Sequence, residues 1–167
     1  LAKSRATVIV GIGGGKVMDV SKAVSDFTKL PIIVCPTIAS TDAPCSAISI
    51  IYTPGGEVES VLKLRSNPEV VLVDTAVICQ APSRFLVSGM GDALSTWFEA
   101  ESCRQRSAPN CASGTDMGSL TAYALARLCF DTLKSYGKLA LIANNSQITC
   151  PAFEHIVEAN TLLSGLG

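Results

Sequence analysis

Three stretches of this 167-residue sequence hold groups that could do chemistry. The first is "VGIGGGKVMD", where four of the six residues from Gly11 to Lys16 are glycine. Glycines that follow an apolar run let the backbone turn with φ > 0 and approach a ligand closely, and the N–H groups of a helix starting there point at an anion. Two common phosphate loops fail letter by letter. The G-x-G-x-x-G fingerprint fits Gly11 and Gly13 but puts its third glycine at Lys16, and a Walker loop read back from Gly15 and Lys16 needs glycine at Val10 and a hydroxyl at Val17. What remains is a glycine-rich strand-to-helix turn with a lysine at its end, suited to an anion; the alternative is a turn that binds nothing.

The second stretch, Pro36 to Ser46, offers the hydroxyls of Thr37, Ser40, Thr41 and Ser46 and the carboxylate of Asp42. Hydroxyls donate and accept, which suits phosphate or ribose, whereas an ionised Asp42 only accepts and suits the hydroxyls of a polyol. The same residues could instead form a turn or a helix cap. The third stretch is "SGMGDALSTW". Gly89 and Gly91 are expected to flank a helix start, with Asp92 in the first turn, where the dipole keeps it ionised. Asp92 then reads as a cap or as a metal ligand, but one carboxylate cannot hold a catalytic ion, which takes three protein ligands. His155, the single histidine, has no metal-ligand spacing to another candidate and reads as a helix-face residue. Asn160 falls on the apolar side of the same helix, so its amide is expected in a hydrogen-bond network.

The elements that must position these groups alternate in the first half. "ATVIVGI", "LPIIVCP" and "VVLVD" read as buried strands, and "KVMDVSKAVSDF" reads as a helix packing through Val17, Val20, Val24 and Phe27. "AISIIYT" and "VESVLKL" around Pro54-Gly55-Gly56 read as a hairpin. From Ala81 onward helices take over, predicted over 83–103, 113–133 and 151–163, with a loop in "RQRSAPNCASGT". The expected class is α/β: an incomplete Rossmann-like parallel-sheet nucleotide domain over 1–80, then the start of an all-helical domain over 81–167.

Composition narrows the function classes. At 48% hydrophobic, 16% charged and a formal net charge of −1, the chain can fill a core and has no basic excess for nucleic acid. No apolar run reaches the length of a membrane span, and no secretory signal is visible. The 7 cysteines contain no C-x-x-C pair, which argues for free thiols in a reducing, cytoplasmic setting. A non-methionine start on a strand, and an end just after an apolar helix, lead us to expect a piece of a longer chain.

Together "GGGKVMDVSKAV", "PTIASTDAPCSAISIIY", "VLVDT", "SGMGDALSTWFEAES" and "VEANTLLSGLG" resemble the glycerol dehydrogenases of the iron-containing, group III alcohol dehydrogenase family. The resemblance implies NAD-dependent oxidation of glycerol, or a similar small polyol, to dihydroxyacetone, with a divalent metal, usually zinc, in a homo-oligomer. By position it assigns Gly14, Gly15, Lys16 and Asp19 to the pyrophosphate region, and Thr37, Ser40, Ser46, Ile48 and Tyr52 to the nucleotide. Asp42 becomes the substrate contact and Asp92 the metal carboxylate. The implied chemistry is hydride transfer from the alcohol carbon to nicotinamide, with a Lewis-acidic metal at the alcohol oxygen. In this family two further metal ligands are histidines on later helices, which His155 does not match, and the ribose-binding acidic residue comes earlier than Leu1. The isolated chain is therefore expected to be inactive and to bind zinc poorly. The alternatives are a non-catalytic nucleotide-binding module and a dehydrogenase for another small diol. A phosphorylated substrate is disfavoured, because Asp42 would repel its charge.

Overall fold

The computed structural model describes residues 5–106 and 118–167. In order, the elements are β1 (Ile9–Gly13), α1 (Gly15–Thr28), β2 (Ile32–Pro36), β3 (Ile48–Tyr52), β4 (Val58–Lys63), β5 (Val70–Val71), α2 (Thr75–Cys79), α3 (Ser83–Arg106), α4 (Leu120–Asn145) and α5 (Pro151–Glu158). A π-helical turn, Ala159–Leu163, and α6 (Ser164–Leu166) follow. The chain divides into two compact units: Leu1–Thr37 with Ala43–Asp74, and Ile38–Asp42 with Thr75–Gly167. A short piece of the first polar loop thus groups with the helices.

The first unit holds a parallel sheet in the order β1-β2-β5, with Ile9 beside Ile32 and Ile33 beside Val70, and a separate antiparallel hairpin, β3-β4. The mixed α/β class and the hairpin follow the sequence pattern. Met18 of α1 is buried with Ile32, Val34 and Ala43. The rest of the helix corrects the expected apolar face. Val17, Val20 and Phe27 are exposed, Phe27 at 88%, while Asp19, Lys22 and Ser25 are buried.

Hydrogen-bonding demand explains the inversion. The ammonium of Lys22, 1% exposed, donates to the carbonyls of Ala43 at 2.7 Å, Ser46 at 3.3 Å and Ile48, and to the Ser46 hydroxyl at 3.3 Å. The Asp19 carboxylate lies 3.6 Å away and balances its charge. Ser49 donates its hydroxyl proton to the Asp19 carbonyl at 2.7 Å, and Ser25 does the same to Leu30 at 2.6 Å. A buried carbonyl without a partner is costly, so the polar stripe of α1 must face the turn that carries these acceptors.

In the second unit, Ala39, Ile78, Cys79, Leu86, Ala140, Phe153, Ile156 and Val157 form one core, and Ala93, Cys129, Ala159 and Leu163 form another. Helix α3 runs through Arg106 and α4 through Asn145, so both extend past their expected ends. The expected helix start at Ser113, and most of the loop before it, lie outside the described residues. Cys150 precedes α5, with Pro151 at the first position, where its missing N–H costs nothing. The π turn is closed by the Ser164 N–H on the Ala159 carbonyl, and the Thr161 hydroxyl returns to the Val157 carbonyl at 2.7 Å. The Cys129 thiol points at the carbonyls of Ala93 and Ala159, each at 3.6 Å, and burial pushes its pKa up to about 11. No helix among the described residues is long and apolar enough to cross a membrane.

Replacing Lys22 by Met leaves Asp19 buried without its counter-ion and three inward carbonyls without a common donor. Removing one partner of a buried pair costs about 3–5 kcal/mol. Lys22→Met is expected to lower the urea midpoint accordingly, and the double change with Asp19→Asn should recover part of the loss. An unchanged midpoint would show the pair to be idle.

Candidate functional site

In the first unit the cradle is built where β1 hands over to α1. Gly13 has φ +154°, and a Cβ there would lie 2.8 Å from the Val17 side chain, so only glycine lets α1 begin so close to the strand. Gly14 is the extended residue before the helix. No side chain caps it, and the first turn, which opens with Gly15 and Lys16, carries no acidic residue. The first N–H groups of a helix have no intrahelical acceptors, so this end offers uncapped donors and the positive end of the dipole. Such an end fits the diphosphate of a dinucleotide.

The neighbouring groups are hydroxyl-bearing and aromatic. Thr37 donates its N–H to the Gly13 carbonyl at 2.9 Å, and Lys16 holds its ammonium 5.0 Å from the centre of the Tyr52 ring. Ser46 and Ile48 lie on the stretch that Lys22 ties down. Asp19 is the least open of the expected contacts, at 6% exposed. Burial raises its carboxyl above the usual range, against the pull of Lys22 and of the Ile50 N–H.

In the second unit the expected residues are Ser40, Asp42 and Asp92. Asp92 lies in the interior of α3, which begins at Ser83, and not in a first turn. Gly89 and Gly91 likewise sit within the helix, so the capping reading and its dipole argument are corrected. Glycine was read as a boundary, whereas at Gly89 its missing side chain serves packing. The Asp42 N–H donates to Asp92 Oδ2 at 3.1 Å. The Asp92 residue is open to solvent on one side, yet the protein packed around its carboxylate raises the pKa above the ordinary value. The Asp42 N–H opposes that shift and the negative charge of Glu99 adds to it.

Among the described residues, no group of three or more His, Cys, Asp and Glu side chains could hold a metal. Asp92 thus offers one donor and not a coordination sphere. His155 is exposed on α5, its ring 4.8 Å from that of Tyr136.

Sequence reasoning passed over two residues. Lys22 carries no signal in the sequence, since nothing local marks a lysine as buried. Gly89 was read as a helix start. A Cβ built there would lie 2.0 Å from the Ala39 carbonyl and 2.4 Å from Asn160 Nδ2, so three segments meet at one side-chain-free point. Asn160 does enter a buried network, as its place on the helix suggested.

Residues 1–75 match the model of the iron-containing alcohol dehydrogenase family. The chain carries that family's sequence pattern over those residues. It is 60% identical, over all of its length and 45% of the relative's, to a protein named glycerol dehydrogenase from Thermotoga maritima. The crystal structure of a probable glycerol dehydrogenase from Sinorhizobium meliloti superposes with a TM-score of 0.91 at 48% identity, covering 97% of this chain and 45% of that one. The glycerol dehydrogenase of Schizosaccharomyces pombe gives 0.91 at 47% identity, covering 98% and 41%. The chain therefore spans under half the length of the relatives it matches.

The two glycines of α3 should respond in opposite ways to alanine. Gly89→Ala overpacks against backbone and is expected to destabilise by about 3 kcal/mol. Gly91 has nothing within 4 Å of a built Cβ among the described residues, so Gly91→Ala should gain about 0.5–1 kcal/mol of helix propensity. Urea denaturation of both variants checks this, and equal midpoints would contradict it.

Proposed function

We propose that this chain supplies the nucleotide cradle and the substrate-side carboxylates of an NAD-dependent, metal-assisted dehydrogenase that oxidises glycerol to dihydroxyacetone. The observation that carries the reading is the hydrogen bond from the Asp42 N–H to the Asp92 carboxylate, in a chain so close to proteins named glycerol dehydrogenase. It brings Asp42 and Asp92 together, which supports reading one as the polyol contact and the other as the metal carboxylate.

NAD, when bound, accepts the hydride from the alcohol carbon, and a divalent metal, zinc by resemblance, acts as a Lewis acid. The described residues provide only Asp92 toward that metal, and no step is derived through it. The chain's own tasks are binding and orientation. The uncapped start of α1 at Gly14, Gly15 and Lys16 receives the diphosphate, with Asp19 behind it. Thr37, Ser40 and Ser46 offer hydroxyls to the nucleotide, Ile48 an apolar contact and Tyr52 an aromatic one. Asp42, through its carboxylate, accepts hydrogen bonds from the polyol and fixes which carbon presents its hydride. The described cysteines are free thiols, which suits a cytoplasmic enzyme, and by resemblance it works as a homo-oligomer.

The test is glycerol-dependent reduction of NAD, read at the NADH absorbance, by the protein translated from the complete gene. Asp92→Asn is expected to lower kcat/KM by about a hundredfold or more through lost metal affinity. Asp42→Ala should act mainly on the KM for glycerol. Full activity in Asp92→Asn would remove the assignment.

A further inference from the structure

Asn160 lies in the π turn and is 0% exposed. Its Nδ2 donates to two backbone carbonyls at once, Ala39 at 3.0 Å and Leu86 at 3.1 Å. Two carbonyl acceptors fix the orientation of the amide, because the flipped form would set oxygen against oxygen. Its Oδ1 is buried and has no partner among the described residues.

That orphan oxygen bears on what the residue is for. A side chain retained for core packing alone would be apolar, since an unsatisfied buried acceptor costs stability that a leucine would not. The donor half of the amide must then do something a leucine cannot. It joins the bent segment Ile38–Asp42 to α3, on one side through Ala39 and on the other through Leu86. Gly89 leaves the gap through which the contact is made. Three residues beyond Ala39 is Asp42, and three residues beyond Gly89 is Asp92. A connection that short on both strands of the contact leaves little freedom, so fixing the first pair fixes the second.

We propose that Asn160 is the positioning residue for the Asp42–Asp92 pair: its amide docks the Ile38–Asp42 segment on α3 and so holds the Asp42 N–H on the Asp92 carboxylate. The proposal rests on the functional reading of Asp42 and Asp92 given above. Asn160 touches neither substrate nor metal, and acts through the placement of Ala39. The extra residue of the π turn fits this role, because such turns re-aim one side chain while the helix continues on both sides.

The experiment is Asn160→Leu in the complete protein, with three readouts. Thermal melting is expected to fall modestly with the variant still folded, because loss of the orphaned oxygen only partly offsets the buried Ala39 carbonyl left without its donor. Amide hydrogen exchange over residues 38–43 is expected to quicken at least tenfold while the cores of α3 and α4 stay protected. The KM for glycerol is expected to rise at least tenfold with the KM for NAD unchanged, a split that a general loss of folding would not produce. Asn160→Gln, which keeps the donor on a longer arm, should restore part of the protection. Should Asn160→Leu fail to fold, Asn160→Ser, smaller and still polar, is read in the same way. Unaltered exchange over 38–43 in a folded variant overturns the proposal. A wild-type protein that does not oxidise glycerol overturns the functional reading instead, and leaves the exchange result to judge the docking on its own.

Discussion

The helical unit depends on one close approach, that of the Ala39 carbonyl to α3 at Gly89. Ala39 is 1% exposed, so its carbonyl has left water and needs a donor inside the protein. A helix has no spare N–H in its middle to give, because each is bonded to the preceding turn. The donor therefore comes from a third element, the Asn160 amide, and glycine at position 89 clears the space where the three meet. The π turn that carries Asn160 and the glycine at position 89 both serve that one buried carbonyl.

The sheet unit solves a similar problem with a charge. Where the chain turns from Ala43 to Ile48, the carbonyls of Ala43, Ser46 and Ile48 converge on one donor, the Lys22 ammonium. An ammonium group carries three donors on a flexible stem, enough to serve a cluster of acceptors that an amide could not. Its burial is tolerable because Asp19, three residues earlier on the same helix, supplies the opposite charge. The consequence for the cradle is mechanical. Ser46 and Ile48 are held by α1 through Lys22, so they share one support with the uncapped first turn of that helix.

The parts of this arrangement that local pattern controls were readable in the sequence. Apolar runs closed by Gly13 and Pro36 marked two of the parallel strands, the run expected to end at Asp74 forms a strand only over Val70–Val71, and Pro54-Gly55-Gly56 marked the hairpin. Asn160 stood out as a polar residue on an apolar face. What local pattern does not control was misread. Phe27 and Val20 have helical spacing but face outward, because hydrogen bonds from Lys22 and not apolar area set the rotation of α1. Gly89 and Gly91 carry the usual mark of a helix start, yet α3 runs through both, and Asp92 loses the dipole that a first turn would have given it. The grouping of Ile38–Asp42 with the helices rests on pairings as far apart as Ala39 and Asn160, which no window along the chain can see.

Asp19 and Asp92 show how two partly desolvated carboxylates come to differ in use. Both are pushed above the ordinary carboxylate range by the protein around them. Asp19 has a cation 3.6 Å away, and its charge is spent inside the fold. Asp92 has no cationic partner among the described residues. It has one backbone N–H, and the nearby charge that acts on it, Glu99, is of its own sign. A carboxylate kept only for stability would be expected to have its charge matched, as at Asp19. One left unmatched, open to solvent on one side and held by a neighbouring N–H, is better suited to receive a cation from outside the fold. That asymmetry supports the proposal that Asp92, and not Asp19, is the carboxylate that would receive the metal.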